Sequence, residues 1–123
     1  MSCDNKVLIV DDEPSVGHAL SVILADAGYH AVLATSGRNA QARADEQTFD
    51  VAIIDVGLPD ISGLDLLCYL RERNIRMRII IISAQPTPQI IEEATRLGAV
   101  DVLHKPFSPS DILDALGMAL SEA

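Results

Sequence analysis

The side chains suited to chemistry fall in four short stretches: Asp11 and Asp12, then Asp55, then Ser83, then Lys105. The first three closely follow apolar runs, namely Val7-Leu8-Ile9-Val10, Val51-Ala52-Ile53-Ile54 and Ile79-Ile80-Ile81-Ile82, and Lys105 follows a shorter strand at residues 100–103. An acid pair, a lone acid, a hydroxyl and an ammonium are the parts of a phosphoryl-transfer site. There, cations neutralise phosphoryl oxygens while a carboxylate attacks in line. Taken singly, each part has a plainer reading: helix-capping acids, a turn aspartate before Gly57-Leu58-Pro59, a turn serine and a solvated lysine. Packing alone gives no reason for the four to sit in this order at the ends of four strands.

The elements between them decide whether they meet. Four consecutive apolar residues are what a strand buried on both faces requires. After the first such strand, Asp11-Asp12-Glu13-Pro14 supplies turn acids and a proline suited to a helix's first position. Val16, Leu20, Ile23, Leu24 and Ala27 then recur at helical spacing, and Gly28 is placed to end that helix. Residues 29–34 read as a weaker strand and 37–47 as a helix whose apolar face is mostly alanine. Helices follow at 63–73, with Leu64, Leu67 and Leu70 or their neighbours inward, and at 89–97, closed by Gly98. The last helix, 111–120, turns Ile112, Leu116 and Ala119 inward.

Five strand-then-helix repeats with short connections predict a single α/β domain over residues 1–123, with a parallel sheet and right-handed crossovers. Strands two and five carry His30, Asp101 and His104, so they belong at the edges. The order 2-1-3-4-5 satisfies this. It is the order of flavodoxin-like folds, whose binding crevice opens between strands one and three.

In that order Asp11 and Asp12 lie beside Asp55, on strands about 4.8 Å apart. Carboxylates roughly 5 Å apart at an effective dielectric near 20 repel by about 3 kcal/mol per pair. A cation relieves this, and oxygen-only ligands suit Mg²⁺ or Mn²⁺ better than Zn²⁺. Ser83 ends the strand next to Asp55. Lys105 ends a strand about 10 Å away, a gap that a long ammonium side chain spans.

Composition narrows the partners. Eighteen acidic and nine basic side chains among 123 residues give a formal charge of −9, which repels phosphate backbones and argues against direct nucleic-acid binding. Cys3 and Cys68 form no close C-x-x-C pair, which predicts a reduced compartment. The N-terminal residues lack a basic region and every apolar run is too short for a membrane span, so a cytoplasmic location is expected.

The set Asp11-Asp12, Asp55 within Asp-Val-Gly-Leu-Pro-Asp-Ile-Ser-Gly, Ser83-Ala84, Gly98-Ala99 and Lys105-Pro106-Phe107 resembles the response-regulator receiver domains of two-component phosphorelays over essentially the whole chain. The resemblance implies that Asp55 accepts a phosphoryl group from a phosphohistidine of a sensor histidine kinase or histidine phosphotransfer domain. It implies Mg²⁺ held by the side chains of Asp12 and Asp55, by the Gly57 backbone carbonyl and by Asp11 through water. Ser83 and Lys105 then hold the phosphoryl oxygens, and small Ala84 leaves them room. It further implies a cis Lys105–Pro106 bond, docking of the kinase at Pro14, Ser15 and the 105–107 loop, and a switch through the fourth helix, fifth strand and fifth helix.

By the same resemblance the domain is a signalling phosphoacceptor. It promotes only its own phosphorylation and dephosphorylation, and acts on an effector, a partner or a phosphorylation-dependent dimer. One position departs: the family usually has an aromatic residue three before the lysine, and Val102 stands there. His104 reads as an edge-strand surface residue, and the 86–88 loop with the fourth helix is expected to carry the signal instead.

A haloacid-dehalogenase-like phosphatase uses similar residues, but needs Asp-x-Asp after the first strand and its acid pair last. A flavin or nucleotide module needs a Gly- or Ser/Thr-rich loop where Asp11-Asp12-Glu13 stands. A receiver that is never phosphorylated usually lacks one of the five site residues, and all five are present. The chain fits a free-standing receiver and a piece of a longer regulator alike.

Overall fold

Apolar runs and helix caps set the element order in the computed structural model, which describes residues 5–74 and 76–121. The strands are β1 (Lys6–Val10), β2 (His30–Ala34), β3 (Val51–Asp55), β4 (Arg78–Ser83) and β5 (Asp101–His104). The helices are α1 (Pro14–Asp26), α2 (Gly37–Glu46), α3 (Gly63–Arg73), α4 (Pro88–Arg96) and α5 (Pro109–Ser121). All pairings are parallel, in the order β2-β1-β3-β4-β5. The expected α/β sheet and strand order are therefore found.

The central strands are buried on both faces. Ile79 to Ile82 are fully buried, each side chain contributing about 1.5–3 kcal/mol of transfer free energy. Alternation sends Ile79 and Ile81 into one core with Leu66, Leu67 and Leu70 of α3, and Ile80 and Ile82 into another with Leu20 and Leu24 of α1 and Leu116 of α5. Helices thus cover both faces, and the ends of the strands are left as the accessible edge.

Local chemistry fixes the helix starts. Ser36, Ser62 and Thr87 accept hydrogen bonds from the amides of Asn39, Leu64 and Ile90 at 3.0, 3.1 and 3.2 Å, satisfying donors with no partner inside the helix. Pro88 and Pro109 begin α4 and α5 slightly earlier than periodicity suggested, because proline's fixed φ suits a first turn. Gly28 and Gly98 adopt φ of +94° and +103° just past α1 and α4, where a side chain is disfavoured.

Some inward positions differ from expectation. Ala27 lies just past α1 and is exposed, and within α1 Gly17 is buried against Leu33, the spot where a Cβ would meet the Leu33 side chain at 2.6 Å. In α3, Leu66 is buried while Leu64 is half-buried. Asp55 itself belongs to the β3 ladder, opposite Ile82, so its backbone is held by sheet rather than by loop. Cys3 lies outside the described residues, and Cys68 is a half-buried free thiol.

Candidate functional site

Asp11 follows β1, Asp55 ends β3, Ser83 ends β4 and Lys105 follows β5, so one edge of one sheet presents them all. The backbone ties these ends together: Val56 N–H donates to Ile82 O at 3.0 Å, and Lys105 N–H to Ser83 O at 2.8 Å. Asp11, Asp55 and Ser83 are the buried polar or charged residues among those described. Three polar side chains withheld from water at one place need mutual partners.

Lys105 supplies the central one. Its Nζ lies 2.9 Å from Asp11 Oδ2 and 3.3 Å from Asp55 Oδ2, and 3.3 Å from Glu13 Oε1. The reach across β4 expected of a long ammonium is therefore made. Glu13 was not foreseen as a partner; at the second position after Asp11 it reads in the sequence only as a turn acid. Asp11 is held on its other oxygen by the Glu13 amide at 2.9 Å, and Asp55 Oδ1 accepts from the Gly57 amide at 3.3 Å.

Burial pushes the Asp55 carboxyl above its usual range; the Lys105 ammonium opposes this and the Asp11 carboxylate adds to it. Burial acts against the Lys105 charge as well, but the closeness of Asp11, and then of Asp55, outweighs it and holds the lysine above its ordinary value. One ammonium among so many acids leaves the pocket short of positive charge.

The residues fit a hard divalent cation. Ligand oxygens of Asp11, Asp12 and Asp55 all lie within 4.8 Å of one another. Asp11 Oδ2 is buried, and among the described residues no donor meets it with hydrogen-bond geometry, although the ammonium stands at ion-pair distance. An all-oxygen set of this kind, with the exposed Asp12 at the mouth, suits Mg²⁺ or Mn²⁺.

Ser83 Oγ accepts from the Gln85 amide at 3.1 Å, which leaves its own proton to donate. Asp12, Asp55, Gly57, Ser83, Ala84, Lys105 and their neighbours line a cleft of about 420 Å³. Every candidate except Asp11, which lies beneath, thus borders one cavity. The Lys105–Pro106 peptide is cis.

Two supports escaped the sequence reading. Asp60 accepts the Gly37 and Arg38 amides at 2.8 and 2.9 Å, capping α2 from the loop after β3; the Arg38 amide, then that of Gly37, holds its carboxyl below the usual range. Gly63 begins α3 where a Cβ would stand 2.3 Å from Asp55 O and 2.8 Å from Val56 Cα. The Gly57-to-Gly63 motif contained both residues, but only the contacts show their purpose.

Comparison with known proteins agrees with this geometry. The transcriptional regulatory protein KdpE of Mycobacterium tuberculosis is 38% identical over 114 residues, 93% of this chain and 50% of that protein. CusR of Escherichia coli is 37% identical over 108 residues, 88% of this chain and 48% of the relative. The chain therefore spans about half the length of these curated relatives.

Among solved structures, a CheY-like receiver domain protein from Methanospirillum hungatei superposes with a TM-score of 0.93 at 26% identity, covering 97% of this chain and 95% of that one. The chemotaxis protein CheY4 of Vibrio cholerae gives 0.91 at 34% identity, covering 95% and 99%. Among the described residues no helix is long and apolar enough to cross a membrane. The family profile described as response regulator receiver domain matches residues 7–117, and the chain belongs to that family, the phosphoacceptor domains of two-component signalling.

Proposed function

We propose that Asp55 is the phosphoacceptor, and that its donor is the phosphohistidine of a sensor kinase or histidine phosphotransfer domain. The observation carrying this reading is the Lys105 ammonium held between Asp11 and Asp55 at 2.9 and 3.3 Å, at the mouth of a cleft that also holds Asp12 and Ser83. An Asp55 oxygen attacks phosphorus in line, the nitrogen–phosphorus bond breaks and the donor imidazole leaves. Lys105 and the Ser83 hydroxyl take the equatorial oxygens, and Ala84 leaves them space.

Asp11, Asp12 and Asp55, with the Gly57 carbonyl, would hold Mg²⁺, or Mn²⁺ in its place. The ion supplies charge neutralisation for the transferring group. The donor domain is expected in the apolar groove of about 520 Å³ between α1 and the loop after β5, lined by Ser15, Val16, Ala19, Ile23, Pro106 and Phe107. That groove opens beside Lys105 and so delivers a docked phosphohistidine to the site. Hydrolysis of the aspartyl phosphate later resets the domain, and an effector or partner reads its state. In this reading residues 1–123 form one receiver domain that works in the cytoplasm with a sensor kinase and an effector domain.

Intact mass after incubation with Mg²⁺ and acetyl phosphate, and then with a phosphorylated histidine kinase domain, tests the reading. One phosphoryl group is expected, lost with chelator and absent from Asp55→Asn. No gain from either donor would overturn it.

A further inference from the structure

His104 is the last residue of β5, paired in register with Ser83. Its ring Nε2 lies 2.9 Å from the backbone carbonyl of Ala84. A carbonyl only accepts, so Nε2 carries the hydrogen and His104 is the donor. Ala84 follows Ser83 and lines the cleft that contains Asp55. The segment bearing the site hydroxyl is therefore tied to the edge strand twice, by the Lys105 amide to Ser83 O at 2.8 Å and by the His104 ring to Ala84 O.

The sheet order gives these ties a direction. Asp55 ends β3 on one side of β4, and His104 ends β5 on the other. A shift of Ser83 and Ala84 toward a group carried by Asp55 is a shift away from His104. His104 also shares a sheet face with Val102, which packs against the core that contains Ala94 of α4, and it is the residue of that face nearest the site.

We propose that His104 is a positioning residue, a latch that holds the Ser83–Ala84 segment in its unmodified place and must release before the hydroxyl closes on a phosphoryl group. The proposal rests on the receiver reading above. The bond lies at the surface, so its loss is expected to change the closing equilibrium by about three- to tenfold.

The test uses beryllium fluoride, which stands in for a phosphoryl group on a carboxylate without any transfer step. Its binding in the presence of Mg²⁺ is followed by the fluorine-19 resonance of the bound anion. His104→Leu removes the donor and is expected to bind the anion about three- to tenfold more tightly than wild type. His104→Gln places an amide N–H near the same point and is expected to stay within twofold of wild type. Binding of Mg²⁺ alone should be equal in all three, because His104 touches no carboxylate of the cluster; general loosening of the site would alter it.

Equal or weaker anion binding by His104→Leu, with wild type binding normally, would overturn the latch and leave the receiver reading intact. Absence of Mg²⁺-dependent anion binding by wild type would overturn both. A His104→Gln variant that tightens like the leucine variant would show that the hydrogen bond is not the restraint.

Discussion

Lys105 Nζ stands 2.9 Å from Asp11 Oδ2, an oxygen that is buried and meets no directed donor among the described residues. The pair joins the loops after the first and last strands, 94 positions apart by numbering (105 minus 11), and sets an ammonium where a divalent cation also fits. A metal held there would share its carboxylates with the lysine, so each would weaken the need for the other.

Replacing Lys105 by Met leaves the Asp11 and Asp55 carboxylates facing each other. A loss of about 1–3 kcal/mol is expected in chelator, by denaturant titration. Because the native lysine value is raised, its stabilisation is complete below the ordinary lysine pKa near 10.4 and is lost as pH rises through the raised value. The lysine's own charge thus adds no pH dependence to the Lys105→Met deficit through neutral pH. Calorimetric titration should show the variant binding Mg²⁺ several-fold more tightly, since no ammonium competes; weaker binding would contradict the shared-carboxylate picture.

Asp55→Asn should stabilise the metal-free protein at neutral pH by about 1 kcal/mol, or roughly 3–6 °C in thermal midpoint. The native carboxyl is raised, so wild type is fully stable with respect to this group below the ordinary aspartate value near 3.9. It loses that stability as pH climbs to the raised value. The Asn variant should show no such fall across the same window. Magnesium should close the gap by stabilising wild type and not the variant; a site of millimolar affinity gains about 1.4 kcal/mol at roughly 10 mM ion.

Gly63→Ala forces a Cβ against the Asp55 carbonyl and Val56 Cα, which are backbone and cannot swing aside. A cost of about 2–4 kcal/mol is expected, together with weakened Mg²⁺ binding as the end of β3 shifts. Gly57→Ala is the contrast. Its Cβ would meet nothing within 4 Å, so its stability should stay within about 0.5 kcal/mol of wild type. Similar losses in both variants would show that the glycines matter for chain flexibility and not for this contact.

The sheet and its order were legible from residue type. A run such as Ile79 to Ile82 has nowhere to go but a strand covered on both faces, and polar residues on β2 and β5 send those strands to the edges. Because a parallel strand order determines which loops are neighbours, the meeting of Asp11, Asp55, Ser83 and Lys105 was legible too. Helix boundaries were less so, since Pro88 and Pro109 suit both a loop and a first helical turn.

What the chain order left open was contact at the scale of single atoms between segments far apart in sequence. Nothing local in Glu13 indicates that it shares the Lys105 ammonium, nor in Asp60 that it caps a helix beginning at Gly37, nor in Gly63 that it lies against Asp55 O. His104 is the clearest case. Residue type and alternation correctly placed it on the surface of an edge strand, yet its bond to Ala84 depends on the rotation of one ring and the direction of one loop carbonyl. Burial patterns are written along the chain in periods of two and three to four residues, whereas a directed hydrogen bond depends on where two backbones stand once the sheet is assembled.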